Sequence, residues 1–72
     1  MTSYKSKAKT IISKNLKNYR EKSGLTQIAL SMKLNKSPEY ISRIEREIIL
    51  PRIDVLYAIA EILSIKIELL LK

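Results

Sequence analysis

The sequence predicts an all-α domain, a compact bundle of about five short helices. Apolar residues recur at three-and-four spacing in successive segments. Those segments are punctuated by Gly24, Asn35, Pro51 and Ser64, and no repeat or low-complexity stretch separates them. The chain's 72 residues are enough for one domain.

The first nine residues, MTSYKSKAK, lack apolar periodicity, so a flexible basic arm is expected over 1–9 and the folded domain over 10–72. From Thr10, the recurrence of Ile12, Leu16 and Tyr19 reads as the first helix. Gly24, the single glycine, is expected to end it in a left-handed conformation.

A second helix is expected over about 26–34, with Thr26 as its N-cap. Leu30 and Leu34 should face inward and Ile28 outward. Asn35 suits a left-handed turn residue. A third helix over about 37–46 should begin with Ser37 as N-cap and Pro38 at the first helical position, where a missing N–H costs nothing. Ile41 and Ile44 have the spacing of buried residues. That leaves Glu39, Tyr40, Ser42 and Arg43 on other faces.

Pro51 interrupts the next apolar run. Ile53, Leu56, Tyr57, Ile59, Ala60 and Leu63 then define a fourth helix. The segment IKIELLLK after Ser64 reads as a short fifth helix or, by its alternation, a terminal edge strand.

The chain carries fourteen basic and seven acidic residues, a net charge of +7. Residues 1–24 hold seven basic groups and one acid; residues 25–72 hold seven and six. Such asymmetry suits a polyanion partner. There is no cysteine and no histidine, which removes disulfides, most zinc sites and the common nucleophilic triads. No glycine-rich phosphate loop or metal cluster can be assembled either, so neither an enzyme nor a cofactor is expected, and no small-molecule ligand is evident. No signal peptide or run of roughly 18 apolar residues is present, so a cytoplasmic location without membrane insertion is expected.

Two helices joined by a turn of about four residues have the outline of a helix-turn-helix. From Gly24 to Glu45, the run GLTQIALSMKLNKSPEYISRIE, followed by Pro51 and LYAIAEILSI, resembles the phage repressor and Cro-like family, also called the xenobiotic-response-element family. The resemblance spans roughly residues 10–65 and rests on the combination Thr26-Gln27, Leu30, Leu34, Ser37, Ile41-Ser42, Ile44-Glu45, Pro51 and Ile59-Ala60. It implies a lambda-repressor-like bundle that binds double-stranded DNA as a transcription regulator, with the helix at 37–46 in the major groove.

The resemblance further implies that Glu39, Tyr40 and Arg43 read bases. Arginine can grip guanine, glutamate can accept from cytosine, and tyrosine can touch a thymine methyl or a phosphate; Pro38 offers only apolar contact. Gln27, Lys36, Ser42, Arg46 and Arg52 fall at positions expected to hold the DNA backbone. Arg20 and Glu45 match a structural ion pair. The arm lysines Lys5, Lys7 and Lys9 match no motif of their own.

The chain departs from the family after the third helix. Ile48, Ile49 and Leu50 stand where a polar loop is usual, and together with Leu69 they are expected to form a homodimer interface. The size suits a restriction-modification controller protein or a compact phage or plasmid repressor. The alternative is an interaction module of the same fold, such as an antitoxin-like or regulatory partner protein, with weak or no specific DNA binding.

Overall fold

The computed structural model describes residues 3–72. Its five helices are α1 (Tyr4–Lys22), α2 (Gln27–Lys33), α3 (Tyr40–Glu45), α4 (Ile53–Ile62) and α5 (Glu68–Leu71). Among the described residues no strand occurs, so the terminal segment is helical. α1 packs against α3 and α5, and α2 packs against α3. Among the described residues, no helix is long and apolar enough to cross a membrane.

The expectation of a flexible arm fails for its described part: residues 4–9 are the first turns of α1. Met1 and Thr2 lie outside the described residues. The helix extends back because Ser3 caps it, accepting from the Ser6 N–H at 3.2 Å. Tertiary contacts then hold the extension. The Lys9 ammonium donates to the Ile48 carbonyl (3.4 Å), and the Thr10 hydroxyl donates to Glu47 Oε1 (2.7 Å). Neither bond has an apolar signature.

The core is formed by Ile12, Leu16, Leu30, Ile41, Ile44, Leu56, Ile59, Ala60, Leu63 and Leu70. Each large residue among them contributes about 1.5–3 kcal/mol by leaving water. Every helix from α1 to α4 supplies at least one, so the two-helix unit is fastened to a single centre. Ile53 and Tyr57 do not join it. They are about three-fifths exposed, because they lie on the flank of α4 turned away from Leu56, Ile59 and Leu63.

The first four helices end in the same way. After each C-cap, one residue takes a left-handed conformation: Gly24 (φ 74°), Asn35 (φ 57°), Glu47 (φ 63°) and Ser64 (φ 56°). In each case the next N–H reaches back five residues to a helix carbonyl, as Leu25 does to Arg20, Lys36 to Ser31, Ile48 to Arg43 and Ile65 to Ala60. The left-handed residue itself bonds three back. This pair of bonds is the Schellman motif, and an apolar residue commonly follows the left-handed one. Leu25, Ile48 and Ile65 occupy that position, which gives Ile48 a local structural role.

The start of α3 differs from the expected one. Its helix begins at Tyr40, with Pro38 and Glu39 in a preceding turn, and no side chain of its own caps it. Ser37 contributes its backbone carbonyl, which accepts from the Tyr40 N–H at 3.0 Å. The capping hydroxyl comes from another helix. Ser31 of α2, fully buried, accepts from the Ile41 N–H at 3.0 Å and donates to the Gln27 carbonyl at 2.8 Å. One buried hydroxyl therefore ties the first turn of α3 to the middle of α2.

Candidate nucleic-acid interface

The α2–α3 unit starts as the sequence suggests, with Thr26 Oγ1 accepting from the Ala29 N–H at 3.0 Å. Leu30 is fully buried on the inner face of α2, whereas Ile28 and Met32 are 59% exposed. On α3, Ile41 and Ile44 face the core. Glu39, Arg43 and Arg46 are exposed, and their spacing of four and three aligns them along one outward face.

The inward end of α3 is locked by Glu45. Its carboxylate accepts from Arg20 Nε (2.6 Å), Arg20 Nη2 (3.1 Å) and Gln27 Nε2 (2.9 Å). Arg20 Nη1 donates in addition to the Leu25 carbonyl at 2.8 Å. The Arg20 and Glu45 side chains are only 10% and 4% exposed. Hydrogen bonding to Glu45 raises the Arg20 pKa against the opposing effect of burial, so the guanidinium stays charged. One carboxylate thus joins α1, the start of α2 and the end of α3.

This arrangement constrains Gln27. One amide hydrogen is engaged by Glu45, which leaves the second hydrogen and the carbonyl oxygen for another partner. Ser42 is half-buried, and its hydroxyl accepts from Arg46 Nε at 3.1 Å. Lys36 lies over the Tyr40 ring, 5.1 Å from its centroid. That contact holds a cation at the entrance to α3.

Tyr40 stands apart from the outward line. It is half-buried and packs against the core. Burial first, and the charge of Asp54 second, push its phenol above the ordinary value. Its phenol therefore lies within electrostatic reach of Asp54 in the first turn of α4. Arg52 is 85% exposed and lies 3.6 Å from Asp54, a pairing too solvated to fix it firmly.

Of the apolar residues singled out after α3, Ile48 and Leu50 are 51% and 38% exposed, while Ile49 is half-buried against the core. Leu69 is half-buried on α5. Two exposed residues of α4, Ile53 and Tyr57, were not legible as surface because their spacing also fits the core pattern. Tyr57 borders a shallow depression of about 460 Å³ with Glu61, Ile65 and Ile67. Among the described residues, no cluster of acids could hold a metal ion.

A family model described as helix-turn-helix matches residues 16–70. A solved structure of a hypothetical transcription factor from Neisseria superposes with a TM-score of 0.86 at 18% identity, covering 100% of this chain and 83% of that one. At that identity the likeness is one of fold. The SOS-response transcriptional repressor LexA from Eubacterium rectale superposes with a TM-score of 0.83 at 30% identity, over 92% of this chain and 70% of that one. No curated protein sequence matches. The family match runs from the middle of α1 into α5 and includes the whole unit fastened by Ser31 and Glu45, so the chain belongs to the Cro/CI-like helix-turn-helix family of DNA-binding transcription regulators.

Proposed function

We propose that the protein binds an inverted-repeat operator in double-stranded DNA as a homodimer, with α3 in the major groove. The observation that carries this reading is the exposed Arg43 of α3, with exposed Glu39 and Arg46 at the helix's two caps, while Ile41, Ile44 and Glu45 fix the helix from within. A short helix so anchored loses little freedom when it docks.

In this reading Arg43 grips a guanine and Glu39 accepts from a cytosine amine. A bidentate arginine contact is worth about 1–3 kcal/mol of discrimination. Tyr40, half-buried at the edge, touches a thymine methyl or a phosphate at the side of the footprint. Gln27 donates its remaining amide hydrogen to a phosphate. Lys36, Ser42, Arg46 and Arg52 hold the backbone around α3, which supplies affinity and salt dependence but no sequence choice.

The homodimer forms through Ile48, Ile49, Leu50 and Leu69, widened by Ile53 and Tyr57. Charge favours this side of the molecule: residues 48–72 carry three basic and three acidic groups, so two copies meet there without net repulsion. A twofold pair sets two α3 helices about 34 Å apart, one turn of DNA. Occupancy of such an operator represses transcription where it overlaps a promoter.

Selection of random duplexes by the purified protein tests the proposal. An enriched inverted repeat is the expected result. Binding without enrichment, at affinity that depends on salt alone, would reject sequence-specific regulation and leave an interaction module of the same fold.

A further inference from the structure

A second surface lies on the far flank of α1. Tyr4, Ala8 and Ile11 recur along one stripe of its N-terminal half, and with Leu71 of α5 they line an open groove of about 230 Å³. Tyr4 is 81% exposed and Leu71 45%, an apolar pair that the core does not use. Lys7 lines the same groove. Lys14, two helical turns along, continues its ridge and is likewise exposed.

We propose that this groove docks an acidic, amphipathic segment of a partner protein, with an apolar stripe against Tyr4, Ile11 and Leu71 and carboxylates facing Lys7 and Lys14. Charge selects this occupant. Residues 1–24 carry seven basic groups and one acid, so a second copy seated here would set one lysine-rich helix against another. Self-association belongs on the neutral α4 side instead. Duplex DNA would satisfy the lysines but leave the aromatic and aliphatic wall uncovered.

The groove is also turned away from the candidate DNA face. Thr10 meets Glu47 in the turn after α3, whereas Asn15 donates to the Lys72 carbonyl at the end of α5 (3.3 Å). At about 100° per residue, these two positions point roughly 140° apart around α1. A segment bound on the α5 side leaves Glu39, Arg43 and Arg46 uncovered. The protein can thus hold DNA and a second macromolecule together.

The test uses a synthetic helical peptide of about four turns with a leucine stripe flanked by glutamates, and a scrambled peptide of the same composition. Titration is followed by backbone amide shifts and fluorescence anisotropy. The striped peptide is expected to bind and to move the amides of Tyr4–Ile11 and Leu71. Tyr4→Asp with Leu71→Asp, both at exposed positions, should weaken it at least about tenfold, and Lys7→Glu with Lys14→Glu should do the same. Equal binding of the scrambled peptide would overturn the proposal, as would shifts centred on Glu39–Arg46. So would the absence of binding, or self-association of the protein abolished by the aspartate pair.

Discussion

Replacing Ser31 by alanine isolates the bond that starts α3. Ser31 Oγ accepts from the buried Ile41 N–H (3.0 Å). Its removal strands that donor away from water, at a cost of about 1–3 kcal/mol. The lost donation to Gln27 O matters less, because that carbonyl lies within α2 and keeps its helical neighbourhood. Alanine returns up to about 0.5 kcal/mol of helix propensity. The net loss is about 0.5–2.5 kcal/mol, or roughly 2–20 °C in melting temperature for a chain of this size. Ser13 provides a matched control. It is also a buried helical serine bonded back to its own helix, at Thr10 O, but among the described residues no N–H donates to it. Ser13→Ala should therefore be neutral, or stabilising by up to about 0.5 kcal/mol. Thermal unfolding followed by circular dichroism compares the two. If Ser31→Ala destabilises no more than Ser13→Ala, the cross-helix cap is not what holds the first turn of α3.

Glu45→Leu should cost about 3–5 kcal/mol by leaving the buried Arg20 without its carboxylate; in denaturant titrations, adding Arg20→Met should restore much of that loss, and simple additivity of the two would contradict their coupling. Ser64→Gly should stabilise the fold by about 0.5–1 kcal/mol, since left-handed serine is strained and its side chain bonds to none of the described residues; an unchanged melting temperature would remove strain from the account. The Tyr40 phenol is raised in the fold above its ordinary value near 10. The folded state therefore holds this proton more tightly than the unfolded chain does, and stability is complete below pH 10 and declines as pH rises beyond it. Tyr40→Phe should remove that part of the alkaline decline; an identical pH profile for both proteins would show that the phenol's burial has no energetic consequence.

Much of the fold was legible because helix punctuation depends on local chemistry. Gly24 and Asn35 tolerate left-handed φ, Thr26 can reach an N–H three residues on, and Ile41 and Ile44 have only one way to face inward. The same physics hid the remainder. Glu47 and Ser64 take the left-handed position too, but nothing in their chemistry advertises it; the surrounding chain imposes it through the two back-bonds. The first turns of α1 are held by Lys9 and Thr10 reaching the turn after α3, contacts separated by 39 and 37 residues in sequence. Ser31 was equally silent, since a serine in a helix usually bonds back to its own turn. In the candidate site, the exposure of Glu39 and Arg43 could be read from spacing. The half-burial of Tyr40 could not, because it depends on tertiary packing against the core.

The separation of roles on α3 is the claim most directly open to measurement. With an operator selected from random duplexes, Arg43→Ala and Arg46→Ala are compared across every single-base-pair variant at several salt concentrations. Arg43→Ala should relax discrimination at one position in each half-site by about 1–3 kcal/mol. Arg46→Ala should weaken all sequences alike and flatten the salt dependence by about one unit of slope. If both variants merely weaken binding uniformly, α3 grips the duplex without reading it through Arg43, and the proposed docking of this helix is wrong.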